Sequence, residues 1–184
     1  MADLDASQRA FLSRQARLSI DSVLRGDGQA SPLVPEEADS PLAAHLGSFV
    51  TLKLGHKLRG CIGTIIGREP IWANVWRMAR AAAFEDPRFP PLSEPEWGAC
   101  DLDISVLDAP VICPDPSAIV IGRHGLILQH RGRTGVFLPQ VPVEQGWSLP
   151  VFLSQLCVKA GLPDGSWQEP GARLFWYTAQ VFSA

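Results

Sequence analysis

An order of predicted elements that occurs twice is the feature that most restricts the fold of this chain. In each half, two β-rich runs joined by a short glycine-containing connection are followed by a helix and then by a strand. Two such runs across a short connection are typical of a β-hairpin. Because the strands do not alternate strictly with helices, this order favours an α+β fold over a doubly wound sheet. We therefore predict one repeat over residues 48–110 and a second over residues 117–183.

The first repeat is predicted from four stretches. The runs SFVTLKL and KLRGCIGTII flank a turn that begins at Gly55 and form the hairpin. The helix is predicted over residues 71–84, after Pro70, because proline suits the start of a helix and the apolar residues that follow fall on two neighbouring stripes. Asp86 and Pro87 end that helix. Alternating apolar and polar residues in ACDLDISVLDAP then predict a half-buried strand.

The second repeat is predicted from the runs HGLILQH and TGVFLPQ, which flank a turn at Arg131. A helix follows in SLPVFLSQLCVKAG, with Ser148 as the candidate N-cap and Gly161 after its last turn. Residues 173–182 are predicted to form the last strand. Before the repeats, residues 6–25 are predicted to form a helix that packs on them, and the stretch GDGQASPLVPEEADSP is predicted to be a loop.

Length, composition and charge limit the class of protein. The 184 residues fit a single domain over residues 1–184. A hydrophobic fraction of 46% and a charged fraction of 19% are typical of a folded chain with a core. The net charge of −3 gives no general attraction to nucleic acid or to an anionic membrane. Since the sequence shows no secretory signal and no run of about 18 apolar residues, we expect a cytoplasmic protein without membrane association.

Several common catalytic and metal-binding motifs are missing. The sequence has no GxxxxGK[ST], no GxGxxG that opens a helix after a strand, and no HExxH. Its four histidines include no pair at helical ligand spacing, and its four cysteines include no CxxC pair. We therefore expect no cofactor, no metal site and free, mostly buried thiols.

The run LRGCIGT places a cysteine between two glycines on a predicted strand, where glycine normally weakens the strand. Alternate side chains of a strand share a face, so Arg59, Cys61 and Gly63 are expected on one side. A guanidinium beside a thiol raises the thiolate fraction, which suits a nucleophile at Cys61. The alternative is that Cys61 is a small buried residue and that Arg59 pairs with a carboxylate.

The two glycines of this run are expected to have different roles. Gly63 shares the face of Cys61 and would leave open space beside the thiol, whereas Gly60 on the other face would let a helix pack closely. That other face is expected to meet the core, and it holds Leu58, Gly60, Ile62, Thr64 and Ile66.

Polar residues in three further segments complete the candidate site. Asp86 and Arg88 in FEDPRF either bind a ligand or form a turn that ends the preceding helix. His124, in GRHGL, either catalyses or makes a structural hydrogen bond. Gln140 and Glu144 lie in a proline-braced loop, which is a common place for ligand contacts. The candidate catalytic residues are therefore Cys61, His124 and Glu144, and the candidate substrate-binding residues are Arg59, Gly60, Gly63, Asp86, Arg88 and Gln140.

These stretches together resemble one known family. The sequence contains, in order, FVTL, LRGCIG, AAAFEDPRF, ISVLDAP, GRHGL, FLPQVPVEQGW and FLSQLCVKAGLP. In these motifs, over about residues 5–182, the chain resembles the AMMECR family, whose bacterial and archaeal members are called AmmeMemoRadiSam system protein A. The resemblance implies an α+β domain in which a single mixed, barrel-like sheet with flanking helices is built from two repeated units.

The resemblance leaves the biochemical activity open. The family's bacterial name implies a Memo-family protein and a radical S-adenosylmethionine enzyme as partners, by association. Three functions are consistent with the sequence: a cleft around Cys61 that takes an anionic small molecule or a modified substrate, a non-catalytic binding or partner module, and a nucleic-acid-binding regulatory protein. The last would rest on Arg123, Arg131 and Arg133 and is the least expected, because the chain is acidic overall.

Overall fold

The computed structural model describes residues 4–27, 29–36 and 41–184. The loop predicted in GDGQASPLVPEEADSP falls partly on residues 28 and 37–40, which lie outside the described residues. Elsewhere the predicted helices and strands are found close to their expected places. The helices are α1 Ala6–Leu24, α2 Ile71–Phe84, α3 Glu94–Trp97, α4 Val141–Glu144 and α5 Leu149–Lys159; the strands are β1 Gly47–Leu54, β2 Lys57–Thr64, β3 Cys100–Leu107, β4 Val111–Ile112, β5 Gly125–His130, β6 Arg133–Phe137, β7 Arg173–Tyr177 and β8 Ala179–Ser183.

The described strands form two four-stranded antiparallel sheets. Their orders are β2-β1-β3-β8 and β4-β7-β5-β6. The α+β class is confirmed, but the prediction of one mixed sheet is wrong, and the described strands close no barrel. The physical reason lies in residues 173–182, because the run predicted as one strand is interrupted at Thr178 and supplies β7 to one sheet and β8 to the other.

The chain divides into two compact units. The first extends to Leu107 and also takes in Gln180–Ala184, and the second comprises Asp108–Ala179. Within each unit a hairpin, a helix and a strand follow one another in the order predicted for the repeats. Whether the units form one domain over residues 1–184 stays a prediction.

Both hairpins turn through two residues with positive φ. These are Gly55 and His56 in the first unit, at 53° and 66°, and Arg131 and Gly132 in the second, at 50° and 72°. Two consecutive residues with positive φ match the right-handed twist of the strands on either side, as in a type I′ turn. Each turn therefore fixes the pairing of the strand residues next to it.

In the first unit, the core lies between the sheet and helices α1 and α2. Asp5 begins α1, and its side chain accepts a hydrogen bond from the N–H of Gln8, while the Gln8 side chain accepts one from the N–H of Asp5. Ser19 ties α1 to α2 by donating to the Trp76 carbonyl at 2.7 Å. Helix α2 is buried over a wide arc, as predicted, and this arc includes Ile71, Val75, Ala79 and Ala82.

In the second unit, α5 packs on the sheet through Phe152 and Leu156, which meet Leu126 and Leu128 of β5. Trp147 precedes α5 and packs edge-on against Phe137 at a centroid distance of 5.3 Å, next to the core of this unit. Over the described part of the chain, none of the helices combines the length and the apolar character that crossing a bilayer requires.

Candidate functional site

A β-bulge at Arg59 changes the predicted faces of β2. Leu52 of β1 pairs with Gly60, and the next residue, Lys53, pairs with Leu58, so Arg59 is the extra residue. The strict alternation assumed from the sequence therefore fails there. Leu58 was expected against the core but is 42% exposed, whereas Ile62 does pack on the core. Ile66 was also expected there but is 69% exposed, because β2 ends at Thr64 and Ile66 lies in the bend that follows.

Arg59 is buried and forms a two-point ion pair. Its Nε and Nη2 donate to the carboxylate of Glu96 at 2.9 and 3.1 Å, and Nη2 also donates to the Pro90 carbonyl at 3.0 Å. The Arg59 hydrogen bonds, followed by those from Ser93, lower the pKa of Glu96 to about 2. The alternative drawn from the sequence, in which Arg59 pairs with a carboxylate, is the arrangement that the structure has.

Cys61 is half-buried, whereas Cys100, Cys113 and Cys157 are buried, and all four thiols are free, as predicted. Across the β1–β2 pair, the Thr51 hydroxyl donates to the Cys61 Sγ at 3.3 Å. The sulfur of Cys61 therefore has a polar neighbour on β1.

The peptide groups of Cys61 are bound by two side chains. Its N–H donates to Asp86 Oδ2 at 2.9 Å, and its carbonyl accepts from Arg88 Nη2 at 3.1 Å. The guanidinium beside Cys61 is therefore that of Arg88, whereas the sequence predicted that it would be that of Arg59. The charge of Arg59 instead acts on the thiol of Cys100, whose pKa is raised because burial outweighs that charge.

Asp86 and Arg88 hold each other in a fixed geometry. Arg88 donates from Nε and Nη2 to the two Asp86 oxygens at 2.9 and 2.6 Å, and its backbone N–H donates to Oδ1 at 3.1 Å. The bonds from Arg88 hold the pKa of Asp86 well below its usual range, although Asp86 is only 4% exposed and burial acts in the opposite direction. Asp86 thus forms the predicted turn after α2 and also accepts a hydrogen bond from Cys61 of β2.

The two glycines of β2 both allow close packing. A Cβ at Gly60 would meet the Ala82 carbonyl of α2, which confirms that this glycine lets the helix approach. A Cβ at Gly63 would lie 2.3 Å from the ring of Phe49, its partner on β1. The open space expected at Gly63 is therefore filled, because the aromatic ring covers the glycine from the neighbouring strand.

A row of polar side chains that sequence reasoning missed continues from Cys61 across the sheet. Cys61 lies opposite Thr51, and Thr51 lies opposite Asp103 on β3. The carboxylate of Asp103 accepts from Lys53 Nζ at 3.0 Å and from Ser183 Oγ at 2.7 Å. Alternation along β1 and β3 was the available signal, since these residues occupy the polar positions of both strands.

The second unit holds the other three candidate residues. The Nδ1 of His124 accepts a hydrogen bond from the N–H of Val120 at 3.0 Å, and its ring packs against Trp176 at a centroid distance of 4.4 Å and an angle of 39°. Burial, followed by the charge of Arg123, lowers the pKa of His124. The neutral ring therefore carries its proton on Nε2 and presents a hydrogen-bond donor rather than a base.

Gln140 precedes the short helix α4, and Glu144 is its last residue. The Oε1 of Gln140 is buried without a hydrogen-bond partner among the described residues, whereas Glu144 is exposed. Across residues 4–27, 29–36 and 41–184, no three His, Cys, Asp or Glu side chains converge in the way that a metal ion needs. A surface depression between the start of α1 and β8, lined by residues including Leu4, Arg9 and Phe182, contains none of the predicted site residues.

Comparison with known proteins agrees with the motifs and with the fold. The family model described as AMMECR1 matches residues 13–182. The protein NEQ441 of Nanoarchaeum equitans is 37% identical over 178 residues, which cover 93% of this chain and 97% of the relative. The protein MK0488 of Methanopyrus kandleri is 39% identical over 188 residues, covering 97% and 89%.

A solved structure is similar throughout. The crystal structure of the uncharacterized protein PH0010 from Pyrococcus horikoshii superposes with a TM-score of 0.85 at 35% identity, and the match covers 94% of this chain and 89% of that one. Because the family model spans most of the chain and the relatives align along nearly their whole length, this chain belongs to the AMMECR1 family.

Proposed function

We propose that the Cys61 thiol is the centre of a site that takes an anionic small molecule or a modified substrate. The observation that carries this proposal is the position of the Sγ atom. It belongs to the half-buried cysteine of the four, it receives a hydrogen bond from Thr51, and a guanidinium is bound to the carbonyl of the same residue. A hydroxyl donor and a guanidinium close to a cysteine are common at sites where a thiolate attacks an electrophile.

Arg88 is the anion-binding group in this proposal. Its Nε and Nη2 are engaged by Asp86 and Cys61, and among the described residues Nη1 has no hydrogen bond. The side chain is 53% exposed, so its outer edge is available to a carboxylate or a phosphate. Arg59 binds no substrate in this scheme, because its guanidinium holds Glu96 and Pro90. The scheme assigns no step to His124, Gln140 or Glu144.

The alternative is a binding module without chemistry at sulfur. It is supported by the structural engagement of Arg59 and Asp86, both of which stabilise the fold around β2. Under this alternative a ligand or a partner protein binds the same face, and Cys61 contributes only its shape and its surface.

The wider setting of the site rests on the family resemblance. The bacterial name of the family supports action together with a Memo-family protein and a radical S-adenosylmethionine enzyme, in the cytoplasm. A nucleic-acid role has less support, because Arg131 pairs with Glu169 at 2.7 Å and Arg133 donates to the Gly161 carbonyl.

Alkylation by iodoacetamide tests the proposal. The other three cysteines are buried, so faster labelling of Cys61 than of those residues would follow from exposure alone. The useful comparison is therefore between the wild type, Thr51→Val and Arg88→Met. Because each substitution removes one of the polar groups around Cys61, we expect Cys61 to react about fivefold more slowly in each variant. Thr134→Val, at an exposed strand position of the second unit, is the matched control.

Protection by anions tests the binding role of Arg88. We expect inorganic phosphate or a dicarboxylate to slow alkylation of Cys61 in the wild type but not in Arg88→Met. Equal rates of Cys61 alkylation in all variants, with and without anions, would contradict the proposal and would show that Cys61 has only a packing role. Anion protection without any dependence on Thr51 would favour the binding module.

A further inference from the structure

β2 is an edge strand, and its sequence does little to prevent another strand from pairing with its free edge. It is the first strand in the order β2-β1-β3-β8 and carries two glycines, Gly60 and Gly63. An edge strand offers unpaired N–H and C=O groups to another chain, and glycine-rich strands are prone to alternative pairing. The edge of β2 therefore needs protection if the sheet is to stay at its observed width.

The backbone of Cys61 points away from β1 at this edge. Its N–H and its carbonyl are bound by Asp86 and Arg88, at 2.9 and 3.1 Å, instead of by the neighbouring strand. In an antiparallel ladder, one residue of the next strand supplies both the acceptor and the donor to the residue opposite. Asp86 and Arg88 supply the same two groups from two side chains, so they occupy the positions that an added strand would need.

This side-chain pair is rigid. Asp86 is 4% exposed, and its carboxylate is bound by the guanidinium and by the backbone N–H of Arg88. Pro87 between them restricts the backbone further. The pair is therefore held in place by its own bonds, and a competing strand would have to break an ion pair to reach Cys61.

We propose that Asp86 and Arg88 act as a surrogate for a neighbouring strand, closing the edge of β2 at Cys61 against pairing with a second copy of this chain. This proposal does not depend on the chemistry proposed for Cys61. It concerns the peptide groups of that residue, whereas the proposed function concerns its sulfur.

The double variant D86A/R88A tests this surrogate. It removes both partners together, which leaves no unpaired buried charge and so favours a folded product. Light scattering after size-exclusion chromatography, over a range of concentrations, measures association, and circular dichroism verifies folding. Since two backbone groups become available to a second copy, we expect an apparent dimer dissociation constant about tenfold lower than in the wild type.

Hydrogen exchange at the Cys61 amide gives a second readout. In dilute D86A/R88A this amide should exchange faster than in the wild type, because its acceptor is gone, and protection should return as the concentration rises. Arg88→Ala, which removes only the donor, should change association in the same direction by a smaller factor.

Arg77→Ala is the matched control for Arg88→Ala. Both arginine side chains are 53% exposed and both form ion pairs at 2.6 Å, but Arg77 pairs with Glu69. We expect no gain in association from Arg77→Ala. The proposal is wrong if folded D86A/R88A matches the wild type in mass at every concentration and in the exchange of the Cys61 amide. If the double variant does not fold, the same two measurements on Arg88→Ala decide.

Discussion

Arg59 and Glu96 join the bulge of β2 to helix α3 through two hydrogen bonds, at 2.9 and 3.1 Å. The pair has a consequence for stability in acid, because the pKa of Glu96 falls from 4.5 to about 2 in the folded protein. A carboxyl whose folded pKa is lowered contributes stability above its unfolded pKa and loses that contribution as the pH falls towards the folded value.

We therefore expect Glu96→Gln to be less stable than the wild type at pH 7, with the difference shrinking between pH 4.5 and about 2. Urea unfolding at several pH values measures it. Glu144→Gln, at an exposed position, is the matched control. A difference between Glu96→Gln and the wild type that stays constant down to pH 2.5 would contradict an ionic role for the pair.

Gly60→Ala should be strongly destabilising. The added Cβ would lie 2.1 Å from the Ala82 carbonyl oxygen, which is backbone and cannot move without shifting α2. We expect a loss of about 3 kcal/mol in the free energy of unfolding. Gly98→Ala is the control, because its Cβ would come no closer than 3.7 Å to the Pro95 carbonyl. Similar losses in the two variants would show that α2 can give way at Gly60.

His124 should be neutral at pH 7, with its proton on Nε2. Burial lowers its pKa below 6.5, and its Nδ1 is engaged by the N–H of Val120. The stability that the neutral ring contributes is present above pH 6.5 and is lost as the pH falls below that value. Nitrogen-15 NMR of the imidazole reports both the titration and the tautomer. A proton found on Nδ1, or a pKa at or above 6.5, would be the contrary result.

Local patterns predicted most of the secondary structure. The bounds of α2 match the predicted residues 71–84, because its apolar stripes and its starting proline are contained within the segment itself. Both hairpins were likewise visible in short runs around glycine. The division of residues 173–182 between two sheets was not visible, because it depends on which distant strands β7 and β8 meet.

The sequence predicted which residues form the candidate site better than it predicted the role of each residue. Cys61, Asp86 and Arg88 do come together, although 25 and 27 positions separate the cysteine from its two partners. Gly60 beside Arg59 is a common sign of a bulge, but it does not fix the position of one, and the bulge invalidated the argument from alternation. Neither the partnership of Arg59 with Glu96, 37 positions away, nor the ring of Phe49 over Gly63 follows from local spacing.

The topology of the two units constrains the order in which the protein can fold during synthesis. Residues 108–179 form one unit from a continuous segment, so it has all its parts once that segment has left the ribosome. The first unit waits longer, because Gln180–Ala184, which includes most of β8, is translated after the whole of the second unit. Until then, β3 exposes an edge that β8 later covers. The unit that begins first in translation is therefore the one that finishes last.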